Sequence, residues 1–315
     1  MNKKSKIYVA GHRGMVGSAI VRQLEDEGYS NIVTRTHKEL DLSRQSQVEN
    51  FFNKEKPEYV FLAAAKVGGI MANSTAKAEF FYDNTMIALN IIHAAYKNNV
   101  TKLMNLGSSC IFPKLASQPL KEEYLLTGSL EETNDAYAVA KISAIKMCTF
   151  YNEQYGTNFL SVMPTNLYGK YDNYDLTSSH VLPAMIRKFY EAKETGGPVE
   201  LWGDGTPLRE FLYTDDLADA VVYLMENKEA SDIGEFVNIG TGKDLTIKNL
   251  SETIADIVGY NGEVIWDTSK PNGTPRKLLD VSKLNILGWK ATTSLKDGIA
   301  AAYDWFKNNY TLKEN

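Results

Sequence analysis

The stretch IYVAGHRGMVG, residues 7–17, joins a short apolar run to three glycines, Gly11, Gly14 and Gly17. The run Ile7–Ala10 is predicted to be a buried strand, and an apolar pattern with helical spacing begins at Val16. Glycines between a strand and a helix allow a tight turn and a close backbone approach to a phosphate at the helix N-terminus. A GxxGxxG pattern alone is weak evidence, but in a first strand–turn–helix unit it predicts a dinucleotide-binding site.

Apolar runs and helical patterns continue to alternate along the first half of the chain. The predicted strands are 31–34, 59–64, 102–106 and 159–163, and the predicted helices are 43–56, 80–98 and 137–155. Strands that alternate with helices at this spacing are typical of βαβ units. The sequence therefore predicts an α/β fold, a Rossmann-type doubly wound parallel sheet with helices on both faces.

Arg35 lies at the end of the second predicted strand, where an NAD-specific protein usually carries an acid for the ribose 2′-hydroxyl. Together with Arg13 it suits a 2′-phosphate, so the pattern favours NADP(H). The alternative is that Arg35 is a solvated charge at a strand end. We expect Asp41 and Leu42 near the adenine, and residues 63–66 beside the cofactor.

The residue pattern changes at Pro164. From there on the apolar runs are short, and prolines and tryptophans interrupt them. This change predicts a smaller C-terminal α/β substrate domain over the carboxyl edge of the sheet. We expect residues 1–164 to form the NADP-binding Rossmann domain, with returning segments near 212–243. Residues 165–315 are expected to be mainly substrate-binding.

The composition is that of a globular protein: 315 residues, 43% hydrophobic and 23% charged, with a formal net charge of -5. The acidic balance argues against a nucleic-acid-binding surface. Cys110 and Cys148 are the only cysteines, and neither they nor the four histidines have metal-ligand spacing, so we expect no metal. No apolar segment has the length of a membrane span or a signal-peptide core, which predicts a cytoplasmic protein without membrane partners.

Tyr137 and Lys141 are four residues apart in a predicted helix, so their side chains share one face. We expect the Lys141 ammonium to lower the tyrosine pKa, so that Tyr137 exchanges a proton with a substrate oxygen during hydride transfer. Ser108, in the segment GSSC after a predicted strand, would donate a second hydrogen bond to the same oxygen. An isolated YxxxK is more often a plain surface pair, and the nucleotide site is what favours catalysis here.

Eight segments, read in order, resemble one family: GHRGMVGSAI, LAAAKVGGI, NLGSSCIFPK, YAVAK, MPTNLYG, SSHVLPA, WGDGTPLREF and GTPRKLLDV. The chain is similar in these segments to the GDP-L-fucose synthase family, the GDP-4-keto-6-deoxy-D-mannose epimerase/reductases of the extended short-chain dehydrogenase/reductase superfamily. GxxGxxG and YxxxK are shared across the superfamily, whereas SSCIFPK, SSH and TPRKLLD are typical of this enzyme type. One departure is His37, where relatives can carry a second basic residue near the 2′-phosphate.

The resemblance implies epimerisation of a 4-keto sugar at C3 and C5, followed by NADPH-dependent reduction of the C4 ketone. Both epimerised carbons are α to the carbonyl, so inversion needs a base on one face of the ring and an acid on the other. Cys110 and His180 are the candidates, because a thiol and an imidazole both exchange protons near neutral pH. The plain alternatives are a small core cysteine and an ordinary polar histidine, and which group is the base stays open.

The resemblance also implies three sets of site residues. The catalytic set is Ser108, Cys110, Tyr137, Lys141 and His180. The NADP(H) set is Gly11, His12, Arg13, Gly14, Met15, Val16, Gly17, Arg35, His37, Asp41, Leu42, Ala64, Lys66, Leu106, Gly107, Ser109, Lys141, Pro164, Thr165, Asn166, Leu167 and His180. The GDP-sugar set is Asn166, Lys188, Trp202, Arg209 and Asp280. From the residues alone, Asn166 is equally a turn residue, Lys188 a solvated helix charge and Trp202 a core aromatic.

Three alternatives for assembly and function stay open. The predicted helices 80–98 and 137–155 are apolar on more than one face, and the resemblance implies a homodimer through a four-helix bundle, whereas burial within one chain would explain the same pattern. A related nucleotide-sugar dehydratase or 4-epimerase would not need Cys110 and His180. A non-catalytic NADP-binding sensor or scaffold would lose the catalytic groups, and the retention of Ser108, Tyr137 and Lys141 argues against it.

Overall fold

The structure is a computed structural model that describes residues 1–270 and 272–310. Its strands are β1 (Ile7–Ala10), β2 (Ile32–Val33), β3 (Tyr59–Leu62), β4 (Lys102–Leu106), β5 (Phe159–Pro164), β6 (Asn166–Tyr168), β7 (Val199–Trp202), β8 (Leu208–Tyr213), β9 (Val237–Ile239), β10 (Asp244–Thr246), β11 (Val264–Asp267) and β12 (Arg276–Lys277). Its helices are α1 (Met15–Asp26), α2 (Gln45–Glu55), α3 (Ile70–Thr75), α4 (Lys77–Lys97), α5 (Asp135–Tyr155), α6 (Val181–Thr195), α7 (Thr214–Asn227), α8 (Ala230–Ile233), α9 (Ile247–Val258), α10 (Ser282–Ile286) and α11 (Leu295–Asn309). Short 3-10 turns cover Ser109–Ile111 and Glu122–Tyr124.

A six-stranded parallel sheet in the order β2-β1-β3-β4-β5-β9 forms the centre of the molecule. The chain winds from β1 to β2 on one side and then continues through β3 on the other side of β1. Open sheets of this kind bind ligands at the carboxyl ends of the strands, beside the point where the winding direction reverses. The predicted doubly wound parallel sheet is confirmed, and the edge beside β1 and β3 is the expected ligand side.

Alternating side chains along the strands explain why helices cover both faces of this sheet. Ile7 and Val9 pack into an apolar cluster with residues of α1 and α7. Tyr8 and Ala10 point the other way, into a cluster with residues of α2, α4 and α5. Because both faces of the strands are buried, the strand sequences are mostly apolar.

A second group of strands is centred on β8. Its first half pairs with antiparallel β10 and with parallel β12, and its second half pairs with parallel β6. β7 and β11 form a separate parallel pair, and α6, α9 and α11 surround a third apolar cluster. α7 packs against α1, and β9 adds an edge strand to the first sheet. Within the described ranges, no helix is both long enough and apolar enough to cross a membrane.

Candidate active site

The glycine turn after β1 has room for backbone only. Gly11 has a φ of +86°, and a Cβ on it would lie 2.8 Å from the Cα of Ala64. A Cβ on Gly17 would lie 2.2 Å from the carbonyl oxygen of Gly11. Close packing of this turn brings the start of α1 to the carboxyl end of β1 and β3.

The N-terminus of α1 is open to an anion. Among the described residues no side chain caps the helix at Gly14, and its first turn carries no acid. Nearby, the buried Nδ1 of His12 has no hydrogen-bond partner in the described chain. Free backbone N–H groups at a helix start bind phosphate readily, so the cradle fits the pyrophosphate of a dinucleotide. Met15 and Val16 form the first turn of that helix.

Two arginines and two glutamates form a cluster at the end of β2, where the 2′-phosphate is expected. Arg35 donates from Nη2 to Glu55 Oε1 at 2.6 Å. Arg13 and Arg35 both lower the pKa of Glu39, after the larger effect of its hydrogen bonds from Thr36. The two predicted arginines therefore do lie near each other, but Arg35 is partly neutralised by an ion pair that the sequence analysis did not anticipate.

The residues after β2 form a turn beside this cluster. Asp41 accepts hydrogen bonds from the backbone and hydroxyl of Ser43, which lower the pKa of its carboxyl group, and His37 lowers it further. Leu42 is held through its carbonyl oxygen by Asn90 at 2.9 Å. The predicted adenine-side residues thus line one continuous turn.

Lys66 differs from the rest of the predicted cofactor set. Its ammonium group pairs with Glu79 at 2.7 Å and with Asp83 at 2.9 Å, both on α4. Its backbone N–H donates to Asn84 Oδ1 at 2.9 Å. The Lys66 side chain is therefore held by ion pairs to α4. Ala64, by contrast, packs directly against Gly11 of the glycine turn.

The carboxyl ends of β4 and β5 lie at the same edge of the sheet as the glycine turn, on the far side of β3, and carry further predicted residues. The backbone N–H of Gly107 donates to Val162 at 2.8 Å, and that of Thr165 donates to Ile239 at 3.0 Å. These bonds extend the sheet by one residue beyond each strand. The predicted residues at this edge are Leu106, Gly107, Ser109, Pro164, Thr165, Asn166 and Leu167.

Lys141 is fixed beneath this edge by α5. It is buried, its ammonium donates to the carbonyl oxygen of Leu106 at 2.8 Å, and it lies 5.6 Å from the ring centre of Tyr137. Burial lowers the pKa of Lys141 to about 8, because the charged form loses its hydration. Ser108 begins the 3-10 turn on the other side, where its hydroxyl accepts from the backbone of Cys110 at 3.5 Å. The predicted Ser–Tyr–Lys set therefore comes together around the end of β4.

The expectation of a lowered Tyr137 pKa is wrong, because burial has a larger effect than the nearby Lys141 ammonium. Burial raises the pKa of Tyr137 well above that of free tyrosine, and the Cys110 thiolate raises it further. The physical reason is that removing the phenolate from water outweighs any effect of an ammonium already bonded to Leu106. Tyr137 is therefore a neutral phenol at physiological pH, the form that can donate a proton.

Cys110 and His180 face a common cation. Burial raises the pKa of the Cys110 thiol, and the Lys277 ammonium, the Ser108 hydroxyl and then Lys141 oppose that shift. The pKa of His180 is lowered, chiefly because nearby protein removes part of its hydration, and Lys277 lowers it further, although the residue as a whole is exposed. His180 is the N-cap of α6, and the preceding Ser178 is tied to the loop after β3 by a 3.1 Å hydrogen bond from Gly69. The two predicted acid–base residues thus meet at one cluster.

Lys277 is a residue of this cluster that the sequence analysis did not single out. It lies on β12 in register with Arg209 of β8, and its charge influences the pKa values of Cys110 and His180, while burial lowers its own pKa. The only available signal was its position within TPRKLLD, a segment typical of one enzyme type. A lysine at the end of a two-residue strand otherwise resembles an ordinary surface charge.

Two predicted substrate residues lie in the β8 sheet beside this cluster. Arg209 is largely surrounded by protein, which lowers its pKa, and its Nη1 donates to the carbonyl oxygen of Leu208 at 2.8 Å. Asn166 donates from Nδ2 to the carbonyl oxygen of Glu210 at 2.7 Å. Among the described residues Arg209 forms no ion pair, so its guanidinium is available to an anion.

The other predicted substrate residues lie farther along the second group of strands. Lys188 on α6 donates to the carbonyl oxygen of Glu200 at 2.8 Å, and burial lowers its pKa. Trp202 ends β7 and is 60% exposed, so it is not the core aromatic that was the alternative. Asp280 accepts from the backbone of Ser282 at 2.8 Å at the start of α10, and its own N–H donates to the carbonyl oxygen of Leu120 at 2.8 Å.

The chain is similar to known proteins over most of its length. Residues 7–240 match the model of the NAD dependent epimerase/dehydratase family. The chain is 55% identical to "GDP-L-fucose synthase 1" of Arabidopsis thaliana, over 98% of this chain and 95% of the relative. It is 53% identical to "GDP-L-fucose synthase" of Escherichia coli (strain K12), over 97% of this chain and 98% of the relative.

A solved structure is similar over almost its whole length. "MlghC, GDP-mannoheptose C4 reductase from Campylobacter jejuni with NADP bound" superposes with a TM-score of 0.91 at 44% identity, covering 98% of this chain and 99% of that one. The resemblance predicted from the sequence motifs is confirmed. The chain therefore belongs to the NAD dependent epimerase/dehydratase family and, within it, to the group of the GDP-L-fucose synthases.

Proposed function

We propose that this protein converts GDP-4-keto-6-deoxy-D-mannose to GDP-L-fucose, by epimerisation at C3 and C5 and NADPH-dependent reduction of the C4 ketone. One observation carries the proposal: Ser108, Tyr137 and Lys141 surround the same strand end as Cys110, and Cys110 shares Lys277 with His180. A simple ketone reductase needs only the first three residues. The additional thiol and imidazole supply the acid and base that epimerisation requires.

The cofactor is proposed to lie along the carboxyl edge of the first sheet, within residues 1–164 and the returning segments near 212–243. The glycine turn and the start of α1 would hold the pyrophosphate, and Arg13 and Arg35 the 2′-phosphate. Lys141 would bond the nicotinamide ribose. Bound NADPH supplies the hydride that reduces C4. The bound NADP of a similar solved structure supports this choice of cofactor.

The GDP-sugar is proposed to bind between this edge and residues 165–315. Arg209 and Lys188 would hold the diphosphate, Arg209 with two parallel hydrogen bonds. Trp202 offers an exposed aromatic face for the base. Asn166 and Asp280 are the remaining proposed substrate contacts.

Epimerisation requires that the C4 carbonyl oxygen be stabilised as it becomes an enolate oxygen. When the base removes a proton from C3 or C5, the electron pair of that C–H bond forms the C=C bond of the enolate. Ser108 and Tyr137 are proposed to donate hydrogen bonds to the enolate oxygen, as donors in an oxyanion hole do. Proton return from the opposite face by the acid of the Cys110/His180 pair inverts each centre.

Reduction then uses Tyr137 as the proton donor. Its half-buried, neutral phenol carries the proton that the C4 oxygen needs as the carbonyl becomes a hydroxyl. Lys141, fixed to Leu106, stays beside the ring and can stabilise the phenolate that is left. One oxygen site therefore serves both steps.

Purified protein given NADPH and GDP-4-keto-6-deoxy-D-mannose is expected to oxidise the cofactor and release GDP-L-fucose. NADPH fluorescence follows the oxidation, and NMR of the isolated product identifies the sugar. Without NADPH oxidation the proposal fails. Oxidation that yields a GDP-linked 6-deoxyhexose of the D series would instead identify a C4 reductase without epimerase activity.

We also propose a homodimer formed through α4 and α5, which pack against each other in one chain. Together they expose large apolar side chains that a partner's α4 and α5 would cover in a four-helix bundle. The exposed residues are Phe81, Tyr82, Val139 and Phe150. Light scattering should give about twice the chain mass of 35.2 kDa.

The Phe81→Asp/Phe150→Asp double variant is expected to be a monomer, because two charges would be buried in the interface. Ile286→Asp serves as the control, since Ile286 is 85% exposed on α10, away from both helices. A wild-type protein with the mass of one chain, or a double variant that stays dimeric, would rule out this interface.

A reducing, cytoplasmic setting is part of the same proposal. Cys110 and Cys148 are both free thiols. Acid–base work by Cys110 needs its sulfur reduced, a state that cytosolic conditions maintain.

A further inference from the structure

We propose that Asn73 is a positioning residue for His180, because it supports a hydrogen bond between the loop after β3 and the segment that leads into α6. That bond, which we call the clasp, runs from the Gly69 N–H to the carbonyl oxygen of Ser178, two residues before His180. The inference deepens the proposed function and rests on it, since only epimerisation needs His180 as an acid or a base. It assigns a role to a buried amide that neither the cofactor nor the reduction step uses.

Two buried asparagines hold the loop after β3. Asn84 of α4 accepts from the backbone N–H of Lys66 at 2.9 Å and donates to its carbonyl oxygen at 3.0 Å. Asn73 of α3 donates from Nδ2 to the carbonyl oxygens of Gly68 at 2.6 Å and of Gly69 at 3.1 Å. These side-chain amides replace the backbone partners that a strand would provide. They therefore fix the path of the loop as far as the clasp.

The clasp depends on a close approach at Gly69. A Cβ on this residue would lie 3.1 Å from the carbonyl oxygen of Ser178 and 3.4 Å from that of Ser179. The φ of Gly69 is -66°, a value that any residue adopts. The short distance to the facing backbone, and not the conformation of the loop, is therefore what favours a glycine here.

The segment before α6 has a shape that its own hydrogen bonds maintain. Asp175 Oδ1 accepts from the backbone of Ser178 at 3.0 Å and from its hydroxyl at 2.9 Å. The carbonyl oxygen of Asp175 accepts from the backbone of Ser179 at 2.8 Å. On the other side, the carbonyl oxygen of His180 accepts from the N–H of Ala184 at 3.1 Å, in the first turn of α6. All these bonds lie within residues 175–184, whereas the clasp ties this unit to the loop after β3.

Sheet topology explains why this attachment matters for the chemistry. β3 and β4 are neighbours, so the loop after β3 and the turn with Ser108 and Cys110 leave the sheet side by side at the same edge. The clasp anchors the backbone before His180 to the first of these two segments. An acid and a base that act on one sugar ring must be held in a fixed relation to each other, because small displacements slow proton transfer strongly.

Asn73→Leu tests the clasp with little change in side-chain size. Asn73 Oδ1 is buried and has no partner within the described residues, so the substitution removes the two bonds from Nδ2 and no others of this side chain. In protein without ligands, hydrogen–deuterium exchange of the peptides covering 66–72 and 174–182 should be faster by roughly fivefold. With GDP-4-keto-6-deoxy-D-mannose and NADPH in D2O, deuterium incorporation at C3 and C5 should fall by roughly tenfold. NADPH affinity should stay within about twofold, because the glycine turn is untouched.

Gly69→Ala disturbs the same bond from its other partner and leaves Asn73 in place. The added methyl group would lie 3.1 Å from the Ser178 oxygen and should produce the same changes in peptide exchange and in deuterium incorporation. If Asn73→Leu fails to fold, judged by circular dichroism, Gly69→Ala decides the question.

Each variant has a matched control. Asn227 also donates from Nδ2 to the carbonyl oxygen four residues before it, at 2.9 Å, but it is exposed on α7. A Cβ on Gly197 would have no neighbour closer than 3.9 Å. Asn227→Leu and Gly197→Ala should therefore change neither the exchange of the two peptides nor the deuterium incorporation.

Three results would overturn the assignment. Parental peptide exchange in both variants would mean that neither residue maintains the clasp. Faster peptide exchange with parental deuterium incorporation would mean that the clasp does not position His180. A loss of NADPH affinity as large as the loss of incorporation would make the loop a cofactor-binding element instead. Failure of the proposed function would appear separately, as an unmodified protein that does not oxidise NADPH.

Discussion

Cys110→Ser is expected to reduce the incorporation of solvent deuterium at C3 and C5 of the substrate by at least about a hundredfold. The serine hydroxyl is nearly the same size as the thiol, but its pKa is far too high for it to act as a base near neutral pH. NADPH binding should stay within about twofold, because the glycine turn and the start of α1 are untouched. Mass spectrometry of the recovered sugar nucleotide in D2O measures the exchange, and fluorescence titration measures cofactor affinity.

The second cysteine provides a matched control for this variant. Cys148 lies on α5 among buried apolar residues, away from the strand end. Cys148→Ala should therefore retain exchange while losing some stability through the small cavity it leaves. Unchanged deuterium incorporation in Cys110→Ser would remove Cys110 from the mechanism.

Tyr137→Phe is expected to affect the two steps in the opposite way to Cys110→Ser, with a larger loss of reduction than of deuterium exchange. Loss of the phenolic proton should slow reduction of the C4 ketone by about a thousandfold, within the range of general-acid contributions. Deuterium exchange should fall less, because the Ser108 hydroxyl still donates to the enolate oxygen. The measurement is the ratio of NADPH oxidation to exchange in each variant: Tyr137→Phe lowers this ratio, whereas Cys110→Ser removes exchange itself.

A tyrosine on the same helix supplies the comparison for this change. Tyr155 ends α5 and stacks on Tyr96, far along the helix from the ketone site. Tyr155→Phe should oxidise NADPH at the parental rate. If Tyr137→Phe did the same, the proton that reaches the C4 oxygen would have to come from another group.

Much of the fold follows from local sequence. The apolar run Ile7–Ala10 and the glycines after it specify a strand, a turn and a helix, all within residues 7–26. Strand–helix alternation then predicts a parallel sheet, because parallel neighbours require a crossover. The motif at Tyr137 and Lys141 likewise depends on helical spacing alone, and the helix is present.

The electrostatics of the site could not be predicted in the same way. The pKa of Tyr137 depends on how completely other segments exclude water from its ring. The ammonium of Lys141 donates a hydrogen bond to a carbonyl oxygen of β4, which lies far away in sequence. The ion pair of Arg35 with Glu55 has no local sequence signal, because Glu55 lies twenty residues away at the end of α2. These interactions arise from packing between distant segments, which spacing within one motif does not encode.

Lys277 is the clearest case of such long-range assembly. It becomes part of the Cys110 cluster only because β12 pairs with β8 and because Leu279 meets Leu120. Neither pairing has a local sequence signal, since β12 is two residues long. A short strand of this kind is recognised only once its neighbours are known.

The isotope pattern of the product tests the central claim most directly. The unmodified protein is supplied with GDP-4-keto-6-deoxy-D-mannose and ordinary NADPH in D2O, and the product is analysed by NMR. The account predicts GDP-L-fucose that carries deuterium at C3 and C5 and protium at C4. A reduced product without deuterium at C3 and C5 would show that the ketone is reduced without enolisation, and would contradict the proposed epimerase.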